Sequence, residues 1–141
     1  MIQYINSSIF VVNNFNKTIN YKILLAVDDS PGTKKAVKYG VRVAQAFGIK
    51  VQIITVNEDD NSNKANKKSS ENASKMMRRC GVEAETKFEI GKPVDKIVEL
   101  AGEDHIIIMG ASTQSPIAKF FIGSKPLNVM QNSNCPIVIV K

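Results

Sequence analysis

A repeated exchange between two hydrophobic periods constrains this chain more than any other feature. Residues 23–27 and 106–109 are continuous apolar runs of strand length, residues 137–140 form another, and residues 51–56 are nearly as apolar. A strand with no polar side needs cover on both faces, which is the situation of a parallel strand between layers of helices. The intervening segments supply those helices. After Ser30, placed to cap, and Pro31 at a first helical position, Ala36, Gly40, Ala44 and Phe47 recur at helical spacing with Val37 and Val41 beside them, and Gly48 ends the run. Ala73, Met76, Met77 and Cys80 fall at i, i+3, i+4 and i+7 before Gly81, which predicts a second helix with Met77 and Cys80 on its packed face. Pro93 opens a third helix, whose apolar face is Val94, Ile97, Val98 and Ala101, and a last one runs from Gly123-Ser124 through Met130.

Between the second and third helices, Val82, Ala84, Thr86, Phe88 and Ile90 alternate with charged residues, the pattern of a half-exposed strand. Strands that alternate with helices are parallel and joined by right-handed crossovers. Placing the alternating strand at an edge and apolar ones in the middle gives the order 3-2-1-4-5. This is an α/β fold, a flavodoxin-like doubly wound sheet of five parallel strands with helices on both faces. The fifth strand then forms an apolar edge, an aggregation hazard unless it is paired. Pairing Pro136 to Val140 with the same segment of a second copy predicts a homodimer.

Two stretches depart from this rhythm. Residues 1–20 hold five Asn, no acid and a short apolar island of Ile9, Phe10, Val11 and Val12. They read as an extension before a domain at residues 21–141, either partly disordered or laid as an extra strand on a neighbouring chain. From Asn57 to Asn72 the only apolar residue is Ala65, which predicts a long, exposed and mobile loop.

Several function classes are excluded on composition. No run approaches the ~20 apolar residues of a membrane helix, and a basic start followed by a long apolar segment, the mark of a secretory signal, is missing. Cys80 and Cys135 are scattered thiols rather than a disulfide framework, so a reducing compartment, by default the cytoplasm, is expected. A net charge of +6, from 19 Lys and Arg against 13 Asp and Glu, suits an anionic partner. The densest basic stretch (Lys64, Lys67, Lys68, Lys75, Arg78, Arg79) has no aromatic among it, so it reads as a solvated face and not a nucleic-acid surface.

Ligands of a doubly wound sheet bind beyond the carboxyl ends of the strands, where the winding reverses. Here that point lies between strands one and four, where Asp28-Asp29-Ser30 meets Gly110-Ala111-Ser112-Thr113. Carboxylates and backbone amides there suit an adenine and a ribose. An anion prefers a helix N-terminus, and Gly123-Ser124 before the last helix offers one, with Ser124 as cap and Lys125 adding charge. Each feature also has a plainer reading. Asp28 serves to cap its own turn, Gly110 to make one, and Gly123-Ser124 to cap a helix.

The run Ile23-Leu24-Leu25-Ala26-Val27-Asp28-Asp29-Ser30, followed by Ile108-Met109-Gly110, Gly123-Ser124 and Cys135-Pro136-Ile137-Val138-Ile139-Val140, resembles the universal stress protein family over residues 21–141. The resemblance implies the flavodoxin-like fold, dimerisation through the last strand, and one of two groups, binding or not binding ATP. Binders carry Gly, two residues, Gly, nine residues, then Gly followed by Ser or Thr. Gly110 takes the first position and Gly123-Ser124 the last, with Gln114 to Ile122 as the spacer, while Thr113 replaces the middle glycine. The resemblance places Asp28 at the ribose or adenine, Ala26, Val27, Val56 and Met109 along the base, and Gly110, Ser112, Gly123 and Ser124 at the phosphates. Mg2+ would enter only on those phosphates. Thr113 is β-branched and resists the positive φ that glycine allows. Two readings follow: a stress-response regulatory module binding ATP or AMP, or a nucleotide-free dimeric interaction module whose site is vestigial.

Catalysis is not expected beyond slow hydrolysis of a bound ATP. The sequence holds no nucleophile–base–orienter set, no metal-ligand spacing and no phosphate loop ending in Lys-Ser or Lys-Thr. His105, the only histidine, falls at the start of strand four, the wrong end of the sheet, and reads as structural. Cys135, before Pro136, has no activating neighbour in sequence.

Overall fold

The computed structural model describes residues 9–11, 15–59, 64–111 and 124–141. Along the chain it runs β1 (Ile9–Val11), β2 (Lys22–Ala26), α1 (Gly32–Phe47), β3 (Val51–Asn57), α2 (Lys64–Arg79), β4 (Ala84–Ile90), α3 (Pro93–Ala101), β5 (His105–Gly110), α4 (Ser124–Asn132) and β6 (Ile137–Val140). The strands form one sheet in the order β1-β6-β5-β2-β3-β4. Without β1 the remaining five strands are parallel throughout, and their order is the 3-2-1-4-5 expected from the apolar runs.

Alternation along each strand explains why these runs are apolar at every position. Ile23 and Leu25 of β2, Ile108 of β5, and Val138 and Val140 of β6 pack on one face against Ala36, Val37, Val41 and Ala44 of α1 and Ala73 and Met77 of α2. Their neighbours Leu24, Ile107, Met109, Ile137 and Ile139 pack on the other face against Ile97 and Ala101 of α3 and Val129 of α4. Successive side chains point to opposite faces, so a strand between two helical layers needs apolar groups at both parities. Edge strand β4, by contrast, leaves Phe88 and Ile90 half exposed.

Four expectations are corrected. The stretch from Asn57 to Asn72 is not one loop, for α2 begins at Lys64. Its buried face is Asn66, Ser70, Ala73 and Met77, spaced as a helix requires but half polar, so a search for apolar periodicity passes over it. No Gly or Pro interrupts the segment, so nothing in it breaks a helix. Second, Cys80 lies just past the end of α2, which stops at Arg79, and is exposed, although its amide still bonds back to the carbonyls of Met76 and Met77. Third, Ser30 does not cap α1 through its side chain, which is spent on Asp28; the residue before the helix is Pro31, without a side-chain cap.

The fourth correction concerns the sheet edge. The outer edge of β6, expected to be open to a second copy, carries β1 of the same chain, antiparallel, with Ile9 opposite Ile139, Phe10 opposite Val138 and Val11 opposite Ile137. The apolar island of the N-terminal extension has the composition of a strand, and the buried, apolar β6 offers it an unpaired ladder.

Candidate functional site

Strand β2 ends at Ala26, and the turn that follows is organised by Asp28. Its Oδ1 accepts hydrogen bonds from the backbone N–H of Ser30 at 2.9 Å, from the Ser30 hydroxyl, and from the Thr33 hydroxyl at 2.8 Å. The first is the bond of an Asx turn, in which a carboxylate folds its own chain back two residues on. Thr33, in the first turn of α1, closes the arrangement by accepting from the Asp28 N–H at 3.2 Å. Asp28 Oδ2 faces the other way, 3.4 Å from Nζ of Lys125 in the first turn of α4. The two readings of Asp28, as the cap of its own turn and as a partner for a ligand, therefore concern different oxygens: Oδ1 shapes the turn, and Oδ2 looks across the cleft.

Burial pushes the Asp28 carboxyl up, but the hydrogen bonds from Ser30 and Thr33 and the charge of Lys125 outweigh it and hold the group below its ordinary value of 3.8. Asp28 is thus an anion at neutral pH. Next to it, the Asp29 N–H donates to Oδ1 of Asn66 at 2.9 Å, and Asn66 Nδ2 donates to Oδ1 of Asn57 at 3.0 Å. This chain of amides ties the turn after β2 to α2 and to the end of β3. The buried Thr55 hydroxyl donates to the Val27 carbonyl at 3.1 Å, joining β3 to the same turn.

Gly110, at the end of β5, is needed for a reason that neither a turn nor a ligand supplies. A Cβ built on it would lie 2.5 Å from the backbone carbon and oxygen of Gly32, and one on Gly32 would lie 2.6 Å from the Ala111 oxygen. Two backbones cross there with no space for side chains. The crossing brings the start of α1, and with it Thr33, against the end of β5, where the sheet's winding reverses.

These elements enclose a cleft lined by Ala26, Val27, Asp28, Ile54, Val56, Met109, Gly110 and Lys125, together with Ser30, Thr33, Pro93 and Ile97. Seven residues expected from sequence meet there: Ala26, Val27, Asp28, Val56, Met109, Gly110 and Lys125. Ser124 is exposed in the first turn of α4 and does not line the cleft. Ser112, Thr113 and Gly123 lie outside the described residues. Sequence reasoning missed Thr33, Ile54, Pro93 and Ile97. Ile54 was legible in retrospect, two residues before Val56 on the same strand face. Thr33 was not, since a single Thr in a first helical turn carries no periodic signal.

At the opposite end of the sheet, His105 is buried, and its Nδ1 lies 3.0 Å from the Ala101 carbonyl and 2.8 Å from Oδ1 of Asp104. Both are acceptors, so Nδ1 carries the proton and the ring fastens the end of α3 to β5. Cys135 is fully buried, and desolvation pushes its thiol up to about 11, which keeps it protonated and unreactive.

Compared with known proteins, residues 20–141 match the model of the universal stress protein family. The chain is 28% identical over 145 residues to the universal stress protein YxiE of Bacillus subtilis, covering 85% of this chain and 98% of that one. A universal stress protein structure from Archaeoglobus fulgidus superposes with a TM-score of 0.75 at 26% identity, covering 87% of this chain and all (100%) of the other. Another from the same organism, solved in complex with dAMP, has a TM-score of 0.68 at 22% identity and covers 88% of this chain and 100% of its own.

Proposed function

The chain belongs to the universal stress protein family, and from that membership we propose that it is a stress-response regulatory module that binds an adenine nucleotide, ATP or AMP, in the cleft between β2 and β5. The observation that carries the reading is the Asp28–Lys125 pair spanning that cleft at 3.4 Å. An anion and a cation, each about a third exposed at 30% and 36%, face one another over an apolar floor. An adenosine phosphate has the complementary sequence of groups. Its base suits Ala26, Val56 and Met109, its ribose hydroxyls can donate to Asp28 Oδ2, and its phosphate suits Lys125 and the N-terminus of α4.

Binding on these terms is an exchange of partners. The ligand's hydroxyls replace Lys125 at Asp28, and its phosphate replaces Asp28 at Lys125, so neither charge is left without a partner. The ion pair itself is partly exposed and worth little, about 0–1 kcal/mol, so breaking it costs little. A nucleoside without phosphate offers Lys125 nothing in return. The site therefore favours nucleotides over nucleosides. A universal stress protein of the same fold has been solved with dAMP, which supports this class of ligand.

The second reading, a nucleotide-free interaction module, draws on the same pair, because Asp28 and Lys125 already satisfy each other. Mapping by NMR separates the two. Adding AMP to isotope-labelled protein is expected to shift the amides of Asp28, Val56, Met109, Gly110 and Lys125 in a saturable way. Shifts confined to other surfaces, or none at millimolar AMP, would overturn the nucleotide reading.

A further inference from the structure

The family match begins at residue 20, yet the sheet has a strand before it. That strand, β1, sits on the edge where the five-stranded domain would otherwise end. Its position has a consequence that the domain alone does not have.

The covered strand is the most apolar edge in the molecule. Ile137 and Ile139 are completely buried (0%), Val138 is 3% exposed and Val140 6%. With β1 in place, both faces of β6 are packed and its ladder is paired. Without β1, β6 would present a row of free N–H and C=O groups on an apolar strand, a template for any other strand. The chain's own second copy is the partner of matching composition, since two β6 edges can pair antiparallel about a two-fold axis.

β1 imitates that partner. It runs antiparallel to β6, as a second β6 would, and it occupies the same backbone groups from Ile137 to Ile139. The island from Ile9 to Val12 reads Ile-Phe-Val-Val, against Ile-Val-Ile-Val in β6. Cover by β1 and pairing with a second copy are mutually exclusive, because each backbone donor and acceptor on that edge serves one partner.

The cover is also weakly held. β1 has three residues, at the short end of strand lengths. Phe10, which lies opposite Val138 and so on the same face of the sheet, remains 56% exposed. A strand that short, with its largest side chain more than half in water, stays docked because it is tethered, by the advantage of a high local concentration.

We infer that β1 is an intramolecular cover for the β6 edge: docked, it keeps the chain monomeric, and released, it exposes a self-complementary edge that pairs with a second copy of this chain. The inference is independent of nucleotide binding and stands or falls apart from it.

Proline at positions 9, 10 and 11 together removes every N–H of β1, whichever edge each faces, and leaves the rest of the chain unchanged. In sedimentation velocity at ~50 µM, the wild-type chain is expected to run as a monomer and the triple variant (Ile9→Pro, Phe10→Pro, Val11→Pro) as a dimer. Circular dichroism and the melting curve report whether the variant is folded. A synthetic peptide of residues 1–14, added in excess, should return the variant to monomer by filling the edge in trans. A folded variant that stays monomeric would overturn the inference. So would a wild-type dimer, whether the prolines preserve it or dissolve it, and so would a variant dimer that the peptide leaves intact.

Discussion

Asp28 divides its two carboxylate oxygens between shaping a turn and facing a cleft, and substitutions can separate these roles from that of Lys125. Asp28→Ala removes the acceptor proposed for the ribose, so adenosine and ATP should both weaken, by about 1.5–3 kcal/mol, the range for hydrogen bonds to a charged group. Lys125→Met removes a phosphate partner and frees Asp28 at once. It should weaken ATP roughly ten- to hundredfold, while adenosine binds no more weakly than before, since no ion pair has to open. Equal weakening of both ligands by Lys125→Met in calorimetric titrations would place Lys125 away from the phosphate. The lowered carboxyl of Asp28 also predicts a pH dependence of folding. A group whose folded pKa is depressed adds stability that is present above its unfolded value and lost as pH falls through the folded one. The stability gap between wild type and Asp28→Asn in urea unfolding should therefore hold from neutral pH down to the ordinary value of 3.8 and close below it. Asp28 and Gly110 were legible in the sequence because each ends an apolar run at the reversal of winding. The bonds that fix them were not. Thr33 is only five positions from Asp28 but carries no periodic signal, whereas Asn66 is 37 positions from Asp29 and Lys125 is 97 from Asp28, too far for any local pattern to connect them.

Among the elements, α2 shows most clearly what hydrophobic patterning can and cannot see. Its C-terminal half announces itself through Ala73, Met76 and Met77. Its N-terminal half is buried through Asn66 and Ser70, residues that a loop would also contain. The Ser70 hydroxyl is completely buried and has no hydrogen-bond partner among the described residues. Ser70→Ala should then stabilise the protein, by about 1 kcal/mol, because it removes an unpaired buried polar group and improves helix propensity. A shift of the urea midpoint to higher concentration with an unchanged slope would show it; a lower midpoint would mean that the hydroxyl has a partner in solution. Gly110→Ala tests the opposite end of the scale. A methyl group 2.5 Å from the Gly32 backbone cannot be absorbed by rotating a side chain, so α1 and β5 must move apart. Overpacking of this kind costs ~1–3 kcal/mol, occasionally more, and the urea midpoint should fall accordingly. A midpoint equal to that of wild type would show that the crossing relaxes freely.

For the whole molecule, strand order and the presence of helices on both faces followed from the sequence because both are global consequences of apolar runs. Residues 23–27, 106–109 and 137–140 have no polar side to expose, and only a parallel sheet between helices accommodates them. Ile9 to Val11 carried a strand signal too, but one strand's sequence does not state which edge it will join, and in this chain the partner is β6 of the same chain. The candidate cleft divides in the same way: its β2 and β5 walls were readable, whereas its charge pair depends on how α4 docks. The central claim is that this cleft takes an adenine nucleotide although Thr113, outside the described residues, replaces the middle glycine of the family's ATP-binding pattern. Isothermal calorimetry with ATP, run on the wild-type chain and on Thr113→Gly, tests it most directly. The account predicts saturable heat at one nucleotide per chain for the wild type, and binding tighter by ~1–3 kcal/mol in the variant, the strain that a β-branched residue holds at a glycine position. No heat from either folded protein would contradict it and leave the nucleotide-free module in its place.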